Sequence, residues 1–146
     1  MIVYIDASAL VKRYVAERGS TEVIELTVKA DIVATSLVSR AEVAAALARA
    51  ARLGALDHDG ARRAQRRFSR EWPDLARVPV TELLVSRAEP LAWDYALRGY
   101  DAIQLASAVT WQESIGEEVV LATFDRQLWE AAPDAGLQVW PEDLGR

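Results

Sequence analysis

Four consecutive apolar residues near the start of the chain, Ile2 to Ile5, are followed directly by a carboxylate, Asp6. A short apolar run that ends at a polar residue is typical of a strand buried on both faces. From Ala7 onward the residues favour a helix. An acid between the carboxyl end of a buried strand and a helix lies where open α/β sheets bind their ligands. Asp6 is therefore the first candidate site residue.

The same order of strand and helix recurs along the chain. Strands are predicted at residues 2–5, 32–35, 76–80, 119–122 and 137–140, and Pro79 places the third of them near a sheet edge. Helices are predicted at 7–15, 21–29, 36–53, 57–72, 82–97, 101–113 and 125–132, and Pro90 should kink or divide the fifth. Alternating strands and helices imply a mainly parallel sheet of about five strands, with helices on both faces. The prediction is a three-layer α/β/α fold in one domain, residues 1–146.

Composition narrows the class of protein. With 146 residues, 51% of them hydrophobic, the chain can bury a sizeable core. No apolar run is long enough to span a membrane, and Asp6 interrupts any apolar leader, so we expect a cytoplasmic protein without a membrane anchor. The chain has no cysteine, which excludes disulfides and thiolate chemistry. A net charge of −5 argues against a protein that coats nucleic acid through its overall field, but it allows a local contact.

Three further acids stand where predicted elements meet. Glu42 lies early in the helix after the second strand, Asp101 opens a helix, and Asp125 follows the fourth strand. Strand ends and helix starts share one edge of a parallel sheet, so these acids can converge with Asp6. Each acid also has a structural alternative: Asp6, Asp101 and Asp125 are acceptable helix N-caps, and Ser39 with Glu42 is a candidate capping box.

Converging acids would need a cation. Two carboxylates 4 Å apart repel by about 4 kcal/mol at an effective dielectric constant of 20. Four of them stay ionised only around a divalent cation, or else one takes up a proton. An all-oxygen ligand set without cysteine or a nearby histidine suits Mg²⁺ or Mn²⁺. Such an ion activates water and stabilises a phosphoryl oxygen, so hydrolysis of a phosphodiester is the chemistry that this pattern favours.

The chain resembles the PIN-domain ribonucleases, and in particular the VapC-like toxins of type II toxin–antitoxin pairs. The resemblance rests on four motifs in family order, YIDASALVK at 4–12, SRAEV at 39–43, LRGYDAIQLA at 97–106 and ATFDRQL at 122–128. It implies that Asp6, Glu42, Asp101 and Asp125 are the acidic quartet that holds one or two Mg²⁺ or Mn²⁺ ions. It also implies that Ser8 and Thr123 support the site.

The same resemblance implies an activity and partners. The expected reaction is endonucleolytic cleavage of RNA by a metal-bound water, and we expect a homodimer that a cognate antitoxin holds inactive. Independently of the resemblance, Lys12 and Arg13 follow Asp6 closely and Arg98 just precedes Asp101, so these three are candidate contacts for the substrate backbone.

Two alternatives remain at this point. A receiver-like signalling domain would accept a phosphoryl group in an acidic pocket, but the only lysines are Lys12 and Lys29, and neither follows a late strand. A PIN domain that has lost activity and acts only by binding a partner is the other alternative.

Overall fold

A single sheet of five parallel strands forms the centre of the computed structural model, which describes residues 1–145. The strands are β1 (Ile2–Ile5), β2 (Ile32–Ser36), β3 (Ala76–Val78), β4 (Val119–Ala122) and β5 (Gln138–Trp140). Their order is β3-β2-β1-β4-β5, so β1 is central. Tyr4 pairs with Ala34 of β2 on one side and with Leu121 of β4 on the other. The predicted sheet is confirmed.

Within residues 1–145, seven α-helices cover the sheet. Their bounds are α1 (Ala7–Leu10), α2 (Ser20–Lys29), α3 (Val38–Arg52), α4 (His58–Glu71), α5 (Glu82–Tyr95), α6 (Gly99–Ile115) and α7 (Arg126–Ala131). Two 3₁₀ turns, Val11–Arg13 and Trp72–Asp74, continue α1 and α4. Within residues 1–145, no helix combines the length and the hydropathy that crossing a bilayer requires.

The side chains of β1 show why the fold has three layers. Val3 and Ile5 are fully buried among residues of α2, α3 and α4 on one face of the sheet. Tyr4 is fully buried among residues of α5, α6 and α7 on the other face. Because successive strand residues point to opposite faces, a strand without exposed side chains needs helices on both sides. The predicted α/β/α architecture is confirmed.

Several predicted helix boundaries were wrong for local reasons. The helix predicted at 7–15 is one α-helical turn followed by a 3₁₀ turn. Pro90 does not divide the fifth helix, because it is exposed and solvent can satisfy the carbonyl that loses its bond. The sixth helix starts at Gly99 rather than at Asp101, so Asp101 lies in its first turn. The end of the predicted domain, Arg146, lies outside the described residues.

Candidate active site

The four predicted acids surround the carboxyl edge of the central strands. Asp6 directly follows β1, and Asp125 follows β4 after two residues. Glu42 lies in the second turn of α3, the helix that leaves β2, and Asp101 lies in the first turn of α6. The acids come from four separate segments of the chain, and the parallel topology is what brings those segments to one edge.

Asp6 is buried and strongly hydrogen-bonded. Its Oδ1 accepts from the backbone N–H of Ala9 at 3.0 Å and from the hydroxyl of Ser8 at 2.7 Å. Its Oδ2 accepts from the hydroxyl of Thr123 at 2.6 Å. A carboxylate has about four lone-pair positions, so these three bonds leave one position on Oδ2. Asp6 is held in one orientation and still has an oxygen available for a ligand.

Burial changes the acidity of Asp6. Loss of solvent raises its pKa from 3.8 to about 6, because the charged form is disfavoured away from water. The three hydrogen bonds lower the pKa and limit this effect, whereas the nearby negative charge of Asp125 raises it further. A carboxylate with this environment gains from a neighbouring cation.

Ser8 and Thr123 also connect Asp6 to the segment that carries Asp125. The hydroxyl of Ser8 accepts from the backbone N–H of Phe124 at 2.9 Å, and the hydroxyl of Thr123 accepts from the N–H of Asp125 at 3.0 Å. The two hydroxyl oxygens lie 3.3 Å apart. Both residues, predicted as site support, contact Asp6 and fix the position of Asp125 relative to it.

Arg98 bridges two of the acids. Its Nε lies 3.0 Å from Oδ2 of Asp101, and one terminal nitrogen lies 3.3 Å from Oδ2 of Asp125. The hydrogen bond to Asp101 and the negative charges of Asp101 and Asp125 raise the pKa of Arg98 above its ordinary value. The guanidinium therefore supplies positive charge between carboxylates that would otherwise repel each other.

Glu42 is held by a buried polar network. Nε2 of Gln104 donates to Oε1 of Glu42 at 2.8 Å and to the hydroxyl of Ser39 at 3.0 Å. The hydroxyl of Tyr4 donates to Oε1 of Gln104 at 2.5 Å. The hydroxyl of Ser39 lies 2.7 Å from the hydroxyl of Thr35, and the Thr35 hydroxyl donates to the carbonyl of Ile5. Burial raises the Glu42 pKa, the Gln104 bond lowers it, and the charge of Asp101 raises it.

Sequence reasoning missed this network. Gln104, Tyr4, Ser39 and Thr35 were not among the predicted site residues, although all four are buried polar residues in apolar segments. That placement is itself a signal, because a buried polar group needs a partner. Gln104 is 62 residues from Glu42 and 100 residues from Tyr4 in the sequence, so local sequence patterns could not identify these contacts.

The capping alternatives have mixed outcomes. Asp6 caps α1 through Ala9, and Asp125 caps α7 by accepting from the N–H of Leu128 at 2.9 Å. Asp101 caps nothing, since Arg98 occupies the N-cap position of α6. The suggested capping box of Ser39 and Glu42 is also absent, because Ser39 lies inside α3 and bonds to Gln104.

Two of the three predicted substrate contacts bond to residues other than the four acids. Lys12 bonds to the carbonyl of Arg18 at 2.7 Å and to Glu17 at 3.1 Å, and it lies over the ring of Phe124. Arg13 pairs with Glu71 and hydrogen-bonds to Thr27. Neither contact set includes one of the four acids, whereas Arg98 touches two of them.

An open cavity lies beside the acids. It has a volume of ≈ 610 Å³ and is lined by Glu42, Arg98, Gly99, Tyr100, Asp101 and Ile103. Acidic oxygens, a guanidinium and an aromatic ring thus face one space of about the size of a small ligand site.

Comparison with known proteins assigns the family. The family model of the PIN domain matches residues 3–133. The chain belongs to the PIN domain family. Ribonuclease VapC45 of Mycobacterium tuberculosis strain CDC 1551 / Oshkosh and ribonuclease VapC49 of strain H37Rv are each 38% identical to it over 144 residues, which is 98% of this chain and 97% of each relative. The solved structure of VapBC2 from Rickettsia felis bound to a DNA fragment from their promoter is similar in fold, with a TM-score of 0.64, 13% identity and coverage of 95% of this chain and 97% of that one.

Family membership confirms the resemblance and leaves receiver-like signalling without support. PIN-domain ribonucleases generally depend on a divalent metal. The donor set of this PIN domain fits such an ion, because one position on Oδ2 of Asp6 remains free and no hydrogen bond within residues 1–145 uses Oδ1 of Asp101 or Oε2 of Glu42. In the conformation described for residues 1–145, no three acidic or histidine side chains are close enough to bind one ion together.

Proposed function

We propose that this PIN domain, residues 1–146, is a metal-dependent endoribonuclease and the toxin of a VapBC-type toxin–antitoxin pair. The observation that carries the proposal is the placement of Asp6, Glu42, Asp101 and Asp125 near strand ends and helix starts along one sheet edge, in a chain 38% identical over nearly its whole length to VapC ribonucleases. A cytoplasmic homodimer that is inhibited by a cognate antitoxin follows from the same relationship and is part of the proposal.

Each acid has a role that its environment supports. Asp6 and Asp101 would hold Mg²⁺ or Mn²⁺, with Glu42 and Asp125 completing the site. When bound, such an ion supplies a water of lowered pKa and stabilises charge on a phosphoryl oxygen. Glu42 has a raised pKa and a fixed position on Gln104, so it is suited to orient the attacking water or to accept its proton.

Arg98 is the best placed of the three proposed substrate contacts. It is well exposed, with 76% of its side chain accessible, and it touches Asp101 and Asp125 at the same time. A guanidinium binds phosphate through two parallel N–H donors, so the scissile phosphate can replace one of these carboxylates as its partner. Lys12 and Arg13 remain proposed contacts for more distant parts of the RNA.

A pair of matched aspartate variants tests the activity. Asp101→Asn removes one charge from the site and should abolish cleavage of total RNA in Mg²⁺ or Mn²⁺, as mapped by new 5′ ends. Asp94→Asn makes the same chemical change on the exposed surface of α5 and should cleave like the wild type. Circular dichroism checks that both variants fold.

The outcomes separate the proposal from its rival. Wild-type cleavage that depends on divalent metal and is lost only in Asp101→Asn supports a nuclease. Full activity of Asp101→Asn contradicts the assigned site. No cleavage by the wild type, combined with tight binding of a partner protein, would instead establish a PIN domain that only binds.

A further inference from the structure

The cavity beside the acids has one wall that the proposed chemistry does not use. Tyr100 lines this cavity and exposes 63% of its surface. Tyr100 directly precedes Asp101 in the sequence. Core packing does not explain its aromatic ring, because core aromatics such as Tyr4 are fully buried whereas Tyr100 is exposed. No hydrogen bond within residues 1–145 engages the Tyr100 hydroxyl. The ring therefore keeps a face exposed to solvent.

The surroundings of Tyr100 define what would fill the cavity. Ile103 lies one helical turn after Tyr100 on α6 and adds apolar surface to the same wall. Gly99 contributes no side chain, and a Cβ there would meet nothing within 4 Å, so the space in front of it is open. Arg98 provides positive charge at the rim, beside the carboxylates. A flat, partly apolar group attached to a phosphate matches this combination of ring, open space and guanidinium.

We infer that this cavity is a nucleobase subsite, in which Tyr100 stacks on the base next to the scissile phosphate of the RNA. The inference rests on the proposed ribonuclease function and adds a residue that positions the substrate. Stacking on an aromatic side chain is tolerant of sequence, because every base has a π face. The subsite would thus hold the chain in register while Arg98 contacts the phosphate.

Exposure alone does not single out Tyr100. Trp93 on α5 is more exposed, at 89%, but it does not line this cavity. This difference supplies a matched control, since both residues are accessible aromatic groups and only one borders the site.

The test uses the full chain and an oligoribonucleotide that spans a cleavage site mapped in total RNA. Tyr100→Leu should raise KM about tenfold with little change in kcat, since stacking on one base has this order of effect. Tyr100→Phe retains the ring and should behave like the wild type. Trp93→Leu should leave both constants unchanged. A KM for Tyr100→Leu equal to that of the wild type overturns the inference.

Substrates that lack a base give a second readout. Removing the base that occupies the subsite should weaken binding by the wild type about as much as Tyr100→Leu does, and removing it should have no added effect in the variant. If the losses of binding from Tyr100→Leu and from removal of the base add independently, Tyr100 does not contact that base. A change of oligomeric state in Tyr100→Leu, measured by light scattering, would instead make Tyr100 a contact between copies and would also overturn the inference. If the wild type cleaves no RNA, the proposed function fails and the nucleobase subsite fails with it, whereas cleavage with an unchanged KM in Tyr100→Leu overturns the subsite alone.

Discussion

The buried carboxylate of Asp6 should make the metal-free protein less stable than a variant without that charge. Asp6→Asn keeps the size and shape of the side chain and removes the ionisation. In the folded state the Asp6 pKa is raised from 3.8 to about 6, so folding is opposed whenever the group is charged. The folded state favours the protonated form of Asp6. The stability that comes from this preference is present in full below pH 3.8 and is lost as the pH rises through about 6.

The magnitude follows from the two pKa values. A rise in the Asp6 pKa from 3.8 to about 6 lowers the free energy of unfolding by about 3 kcal/mol at pH values above 7, and by about half of that at pH 5. Asparagine keeps an acceptor for Ala9 and Ser8, but Thr123 must reorient so that its hydroxyl oxygen accepts from the amide. Allowing roughly 1 kcal/mol for that adjustment, we expect Asp6→Asn to stabilise the metal-free protein by about 2 kcal/mol near neutral pH.

Urea denaturation in EDTA at neutral pH and at pH 5 measures the effect. The free energy of unfolding should be larger for Asp6→Asn than for the wild type at neutral pH, and this difference should be smaller at pH 5. Adding Mg²⁺ should stabilise the wild type and leave Asp6→Asn nearly unchanged, because the ion binds the charged form. Asp94→Asn, an exposed control, should match the wild type throughout. A variant that is less stable than the wild type in EDTA at neutral pH would refute the reasoning.

Two further predictions concern the residues around the acids. Gly19 has a positive φ of 93°, and a Cβ there would meet the Phe124 ring at 2.9 Å, so Gly19→Ala should destabilise more than Gly116→Ala, whose added Cβ meets nothing. Urea midpoints measure the difference, and equal losses would show that the Phe124 contact adds nothing beyond the backbone strain of about 1 kcal/mol. Arg98→Gln should bind Mn²⁺ more tightly by calorimetry and raise KM for RNA, since Arg98 neutralises Asp101 and would also hold phosphate. Arg98→Lys keeps the charge and should restore weak Mn²⁺ binding, whereas unchanged Mn²⁺ affinity in Arg98→Gln would contradict this role.

The sheet was predictable from sequence because its signal is local. The central strand β1 and its neighbour β4 are runs of four apolar residues that are followed by a polar residue, Asp6 and Thr123. Asp6 and Asp125 could be placed at the carboxyl edge for the same reason, since each directly follows or nearly follows such a run. Parallel topology then needs no further information to bring them to one side.

The polar supports of the site could not be predicted in this way. Gln104 contacts Glu42 and Tyr4 only because α6 packs over one face of β1 while α3 leaves the neighbouring strand. Such contacts depend on tertiary packing, which a helical or strand period does not specify.

The choice between helix cap and ligand, which the sequence left open for each acid, proves to be a false one for Asp6 and Asp125. A carboxylate has two oxygens, and in both residues Oδ1 accepts from a backbone N–H while Oδ2 faces the other site residues. The cap fixes the side-chain rotation, and that rotation aims the second oxygen. Because a helix follows β1 and β4 within a few residues, an acid at the junction is placed to do both. Capping preference therefore cannot argue against a site in this fold, and only the surroundings of the second oxygen decide.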